Sequence, residues 1–429
     1  MQLAWTVIAV AGAAAAAAAD PNASARSRRP VSVDDRVSAI RDIAAAPSAA
    51  AVDEVLALGT RGKAVPAVRE AAFVALAEMG ADDGAAGRML LILRKEATRR
   101  SSDTAGPLAV ILLSRPDSAA GSETLAWLDA EAAAGGRAAG LLWLAATEMT
   151  RRGDAEAVRL LVRMGATKSF ARDFSFRRGV IAGLIAIRRP EAVAGLVAIL
   201  ASLGGEARAD VVAYLTAVSG ERHGLDAAGW AEWWRTDGAA FRFPDTIDLR
   251  AARMAANEDV STYYDIPLYA ERLVFVIDVS GSMAGPRMDS AKSELIQAIL
   301  GLPESAAFTI VAFSDAAAPW RKQPVPADEA NKRAAVAFVT ALVPGGMTAS
   351  FDAIDVAFSF DVEAVYFLSD GEPTKGRIVE PEAIVRFVTE ANRGRRLSLY
   401  TIGIMPEGPL AGFLEALADQ NFGIYRQVD

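Results

Sequence analysis

Residues 273–282 read Leu273-Val274-Phe275-Val276-Ile277-Asp278-Val279-Ser280-Gly281-Ser282. Five apolar residues in a row, without alternation, describe a strand covered on both faces. The run ends in a carboxylate and two hydroxyls at i, i+2 and i+4. Extended backbone sends alternate side chains to one side, and Gly281 lets the chain curl so that the three oxygens converge. A strand that ends this way presents oxygen ligands at its carboxyl edge.

The flanking sequence fits the same architecture. After that strand come a helix from Met288 to Leu300, a strand from Phe308 to Phe313 and a short edge strand from Ala318 to Lys322. Helices over 327–342 and 350–358 follow, then a buried strand from Val365 to Leu368. A helix over 381–392, a strand from Leu397 to Ile404, a helix over 409–418 and a last strand from Gly423 to Gln427 complete the series. Strands and helices alternating at this spacing imply an open, mostly parallel, doubly wound α/β sheet. Such sheets take ligands at the carboxyl ends of their strands.

Two further loops bring oxygen to that edge. Val365 to Leu368 runs directly into Ser369-Asp370-Gly371-Glu372-Pro373-Thr374, which contributes Asp370. Pro344-Gly345-Gly346-Met347-Thr348 offers the Thr348 hydroxyl just before a helix. Glu372 reads as a solvated loop residue. Taken singly, Ser369-Asp370-Gly371 is a turn signature and Thr348 a helix cap. Taken together, Asp278, Ser280, Ser282, Thr348 and Asp370 form an oxygen-only set suited to a hard divalent cation, Mg²⁺ first, with Mn²⁺ or Ca²⁺ as alternatives. Two carboxylates neutralise the ion. Three neutral hydroxyls add coordination and leave it able to accept one more carboxylate.

The three segments resemble the metal-ion-dependent adhesion site of von Willebrand factor A (vWA) domains. That pattern is Asp-x-Ser-x-Ser, then a Thr after a Gly-rich turn, then an Asp in a Thr/Ser-Asp-Gly loop. Asp278, Ser280 and Ser282 match the first element, Thr348 the second and Asp370 the third. Family loops often read Gly-Gly-Thr, whereas Met347 here separates Gly346 from Thr348; the downstream Asp352-Ala353 spacing favours Thr348 over Ser350. The resemblance implies a Mg²⁺ held by these groups and completed by an acidic side chain of a protein ligand.

Upstream, from about residue 33 to 240, the pattern is helical. Val68, Ala71, Ala72, Ala75, Leu76 and Met79 form one stripe of 3.6-residue period, and Val193, Leu196, Val197, Leu200 and Leu203 another. Phe176 to Ile187 reads as a further helix. Helices this short must stack on neighbours to bury their apolar faces, and the block resembles HEAT-type repeats, an all-α helical solenoid. Trp230, Trp233 and Trp234 are expected to close its open end. Residues 241–270, with Phe241, Phe243, Pro244, Tyr263, Tyr264, Pro267 and Tyr269, read as an extended connector packed onto the next domain, with no secondary structure assigned. The α/β domain then spans 271–429.

Residues Leu3 to Ala19 are uncharged and apolar and end in an alanine run, which reads as a signal peptide over 1–19, with a retained anchor as the alternative. A polar linker occupies 20–32. Export to the periplasm or the extracellular space follows from that reading. No later apolar run reaches membrane length without a charge or a breaker.

Composition narrows the chemistry. The 429 residues include no cysteine, one histidine (His223) and a net charge of -8. Disulfides, thiolate zinc sites and a Cys nucleophile are excluded, and net negative charge with no basic stripe argues against a nucleic-acid partner. His223, in a Gly-containing loop, reads as a solvated surface residue. A non-enzymatic protein-binding or scaffold role is the leading expectation. A metal-dependent hydrolase or phosphatase is the rival, but its motifs hold no general base, with Lys292 and Lys375 the nearest lysines. A third reading is a vWA subunit of an ATPase-linked assembly.

Overall fold

The computed structural model describes residues 32–60, 65–99, 102–134, 138–255, 260–405 and 409–428. The expected signal peptide and nearly all of the linker lie outside the described residues. The chain divides into two compact units, residues 1–160 and 161–429. The division falls inside the helical segment that the sequence reads as one array.

In the first unit, α1 (Val33–Ala44), α2 (Ala49–Thr60), α3 (Pro66–Met79), α4 (Asp83–Ala97), α5 (Ala105–Leu113), α6 (Ala119–Ala133) and α7 (Ala138–Arg152) follow one another, and α8 (Ala155–Met164) crosses the division. Local chemistry sets their starts. Ser32 and Asp35 make a reciprocal capping box at α1, Pro66 occupies the first turn of α3, and Asp82 accepts the Ala85 N–H at α4. Of the α3 stripe, Val68, Ala72, Ala75, Leu76 and Met79 are buried and Ala71 half-buried, with Phe73 added to the buried set. Each helix packs on its near neighbours in sequence: α1 on α2 and α3, α2 on α3 and α4, α5 on α6 and α7.

The second unit begins with α9 (Lys168–Arg172), α10 (Phe174–Ala186), α11 (Pro190–Leu200), α12 (Gly205–Ser219), α13 (Ala227–Asp237) and α14 (Leu249–Ala255). The α11 stripe Val193, Leu196, Val197, Leu200 and Leu203 is buried throughout. Trp230 is fully buried and donates its indole N–H to the Gly224 carbonyl, and Trp233, Trp234, Phe241 and Phe243 continue a chain of edge-to-face and tilted aromatic contacts from it. His223 corrects the surface reading: it is half-buried edge-on against Trp230, 4.9 Å between centroids.

The connector also holds more structure than its sequence suggests. Besides α14 it contains a hairpin of β1 (Thr262–Tyr263) and β2 (Ile266–Pro267). Its turn residues Tyr264 and Asp265 both have positive φ, 49° and 61°, the geometry of a type I′ turn. Tyr263, Ile266 and Leu268 pack into the core on one face of the main sheet, as the packed connector anticipated.

That sheet is built from β3 (Arg272–Asp278), β4 (Ala307–Phe313), β5 (Ala317–Pro319), β6 (Val325–Pro326), β7 (Ala364–Ser369), β8 (Ser398–Ile404) and β9 (Tyr425–Val428). Its order is β5-β4-β3-β7-β8-β9, with β6 also paired to β4. β4, β3, β7, β8 and β9 are mutually parallel, and the short β5 and β6 are antiparallel. The connecting helices are α15 (Pro286–Gly301), α16 (Glu329–Thr340), α17 (Ser350–Phe358), α18 (Pro381–Arg395) and α19 (Leu410–Asp419). Leu273, Phe275 and Ile277 face one apolar core and Val274 and Val276 the other, so the unalternated run is a strand buried twice. From β3 the chain moves to β4 on one side and returns at β7 on the other. The carboxyl ends of β3 and β7 therefore flank the point where the winding reverses, the usual place for a ligand in such sheets.

Candidate metal centre

Asp278 is the last residue of β3 and is 0% exposed. The register that pairs Ile277 with Leu368 puts Ser369 beside it, and the Ser369 hydroxyl donates to Asp278 Oδ2 at 2.5 Å. The other carboxylate oxygen accepts the Ser280 N–H at 2.8 Å, which bends the chain out of the strand. A short 3₁₀ turn at Gly281–Met283 then carries Ser282 back over the edge. Ser280 Oγ and Ser282 Oγ lie 3.1 Å apart, and Ser282 Oγ donates to Asp370 Oδ1 at 2.8 Å. Four of the five expected donors thus form one continuous hydrogen-bonded chain.

Thr348 reaches the same place by backbone stitching. Gly281 N–H donates to the Gly346 carbonyl at 3.0 Å and Gly345 N–H to the Val279 carbonyl at 2.8 Å, tying the Gly-rich turn to the β3 loop. On its other side, Thr348 N–H donates to Thr374 Oγ1 at 3.0 Å, and the Thr374 N–H returns to the Thr348 carbonyl at 3.0 Å. Gly371 lies between the two threonine and serine hydroxyls: a Cβ there would stand 3.5 Å from Ser282 Oγ and 3.6 Å from Thr348 Oγ1. Gly346 has φ of 85°, and a Cβ on it would meet the Asp315 carboxylate at 2.9 Å, so the turn needs glycine there. The inserted Met347 leaves Thr348 buried, at 4% exposure, and is itself 47% exposed.

Sequence reading missed two side chains. Ser369 orients Asp278; its position after a buried strand and before Asp370 was the available signal. Arg287, in the first turn of α15, donates to Asp370 Oδ2 at 3.1 Å and to the Ser282 carbonyl at 3.3 Å, and nothing local in the sequence announces it. Glu372 is exposed, as expected. Lys375 pairs with Asp315 at 3.0 Å, and Lys292 donates to the Thr340 carbonyl at 3.0 Å.

Electrostatically the site is short of positive charge. Burial, followed by the nearby Asp370 charge, outweighs the hydrogen bonds from Ser369 and Ser280 and pushes Asp278 up to about 6. Two carboxylates with three hydroxyls, one carboxylate buried against its own preference for ionisation, fit a divalent cation in charge and in ligand hardness. Among the described residues no group of three or more His, Cys, Asp or Glu side chains is arranged to hold a metal, which leaves this mixed carboxylate–hydroxyl set as the candidate.

Residues 271–427 match the family model of the von Willebrand factor type A domain, and they form a vWA domain preceded by a helical region. The chain is 33% identical over 171 residues to human inter-alpha-trypsin inhibitor heavy chain H4, a match covering 37% of this chain and 18% of that protein. It is 30% identical over 167 residues to heavy chain H1 from Mesocricetus auratus, covering 36% of this chain and 18% of that one. The matched region is thus less than a fifth of the length of these relatives. Among solved structures, a von Willebrand factor type A protein from Catenulispora acidiphila aligns at 25% identity and TM-score 0.32, covering 37% of this chain and 38% of that one. The PilB minor pilin of Streptococcus sanguinis aligns at 16% identity and TM-score 0.30, covering 37% and 56%.

Proposed function

We propose that the vWA domain is a non-enzymatic, metal-dependent protein-binding module. In this reading Asp278, Ser280, Ser282, Thr348 and Asp370 hold Mg²⁺, with Mn²⁺ or Ca²⁺ as substitutes, and the ion accepts a Glu or Asp side chain from a protein partner. The observation that carries the reading is the hydrogen-bonded chain from Ser369 through Asp278, Ser280 and Ser282 to Asp370 at the point of sheet reversal. A cation at a partly desolvated edge attracts an anion strongly and with defined orientation. Both lysines near the site are engaged in structural contacts, which supports binding over hydrolysis.

The helical region serves as a HEAT-like scaffold, a reading supported by packing of each helix on its near neighbours in the first unit. An exported location, periplasmic or extracellular, is part of the proposal, and the apolar run Leu3 to Ala19 supports it.

Isothermal titration of the metal-free protein with Mg²⁺ and Mn²⁺ tests the site. One saturable event is expected, abolished in an Asp278→Ala/Asp370→Ala variant. A well-folded wild type that takes up neither ion removes the metal from the mechanism.

A further inference from the structure

Two methionines stand exposed at the sheet edge that carries the candidate metal donors, Met347 at 47% and Met405 at 50%. Met347 adjoins Thr348 in the turn stitched to the β3 loop. The same turn is tied to the β4 loop, where the Met347 N–H donates to Asp315 Oδ1 at 3.2 Å and the Ala349 N–H to the Ser314 carbonyl at 2.9 Å. Met405 directly follows β8, whose Gly403 is in register with Ser369 at the end of β7. Because the strands run β4-β3-β7-β8, the donors on the β3 and β7 loops lie between the two methionines.

The backbone fixes where both side chains leave the surface. Thr348, the next residue after Met347, is bonded through its N–H and its carbonyl to Thr374. Met405 has φ of 44°, a left-handed conformation that is strained for a residue with a side chain, and its N–H donates to the Val428 carbonyl at 2.7 Å. Val343, on the same loop as Met347, is 79% exposed and extends the apolar surface there. Methionine is unbranched and polarisable and adapts to varied apolar partners, and it is enriched in protein interfaces where Asp and Glu are depleted. A carboxylate that reaches the donors brings its chain neighbours with it, about 3.8 Å away at Cα, so those neighbours cross this edge.

We propose that the partner is a protein segment whose acidic residue is flanked by apolar side chains, which Met347 and Met405 receive on either side of the metal donors. The inference rests on the metal-site reading above and gives that site a sequence preference. The carboxylate supplies orientation, and the two methionines select what stands beside it. An acidic residue between polar neighbours engages the same donors without the apolar contacts and binds more weakly.

The test titrates the Mn²⁺-loaded full chain with two blocked tripeptides, acetyl-Leu-Glu-Leu-amide and acetyl-Ser-Glu-Ser-amide, and follows displacement of Mn²⁺-bound water by water-proton relaxation. In wild type the leucine peptide should reach its midpoint at about ten-fold lower concentration, the effect of half-burying one leucine side chain. In a Met347→Ser/Met405→Asn variant the two midpoints should converge; asparagine tolerates the left-handed backbone at 405. Each protein supplies its own ratio, so a change in metal affinity shared by both peptides cancels. Equal midpoints in wild type, or a preference kept by the double variant, overturn the inference and leave the metal site standing. Failure of both peptides to displace water from Mn²⁺-loaded wild type overturns it as well. Failure of wild type to take up Mn²⁺ removes the metal-site reading and this inference with it.

Discussion

Glu363 precedes β7 at 2% exposure, and its Oε2 accepts the N–H groups of Glu206 at 3.1 Å and Glu271 at 3.3 Å. Burial, reinforced by the charges of Glu206 and Glu271, outweighs those two hydrogen bonds and pushes it up to about 7. A carboxyl raised in the folded state stabilises fully below its unfolded value near 4.5, and that contribution is lost as pH rises through about 7. Glu363→Gln keeps an acceptor for both N–H groups and removes the buried charge. It should therefore raise the thermal midpoint relative to wild type at pH 8, by up to about 3 kcal/mol of stability, and leave it unchanged at pH 4; thermal melts at the two pH values check this. Asp278, raised to about 6, gives the proposed metal site its own pH signature. A ligand must lose its proton to bind the ion, so Mn²⁺ affinity should drop by up to about ten-fold per pH unit below 6, and a flat titration series from pH 7.5 to 5 would contradict Asp278 as a ligand. At this scale the sequence was informative about donors, because Asp278, Ser280, Ser282, Thr348 and Asp370 each sit in a readable loop. It was silent about Arg287 and Glu363, whose partners lie 83 and 157 residues away in the chain.

The start of α12 shows how a short element is tuned to a distant one. Gly205 has φ of 56°, and a Cβ there would lie 2.0 Å from Glu363 Oε2; one on Gly204 would lie 2.0 Å from Glu271 Oε1. The pair Gly204-Gly205 separates α11 from α12, and the two glycines also admit two carboxylates. Gly205→Ala combines a strained backbone with a clash and should cost about 1–3 kcal/mol, read as a lowered denaturant midpoint at unchanged slope. Secondary structure from Glu271 onward was legible because the central strands β3, β4 and β7 are mostly apolar runs and the helices between them amphipathic. The expected strand from Ala318 to Lys322 is observed at Ala317–Pro319, and beyond it the Trp320 N–H still donates to the Ile310 carbonyl at 2.7 Å. The β1–β2 hairpin escaped notice for an equally local reason: its type I′ turn is Tyr264-Asp265, without the Asn-Gly or Asp-Gly signature, and strands of two residues show no period.

Within residues 161–429 the helices α10, α12 and α14 meet the sheet at its amino edge, opposite the candidate metal centre. Glu206 of α12 accepts from Ser398 and Tyr400 at the start of β8, at 2.8 and 2.9 Å, and from Arg253 of α14. Asp210 of the same helix pairs with Arg178 at 2.7 Å and with Arg253; burial opposes its charge, but the two guanidiniums hold it below the usual carboxylate range. Arg178 also donates to the Arg396 carbonyl at 2.6 Å. Breaking a buried network of this kind strands its charges. A fragment of residues 161–429 should accordingly unfold in one cooperative transition, whereas a fragment of residues 271–429 should melt lower or aggregate; equal midpoints for the two would show the helices to be dispensable to the sheet. The amino-acid sequence by itself determined the doubly wound sheet and which carboxylates and hydroxyls lie in the loops at its carboxyl edge, since hydrophobic period and loop composition are local properties. Only the tertiary structure decided which helices join that sheet, where Arg287 lands and why Glu363 is buried, because a charge is placed by its partners and those partners are remote in the chain.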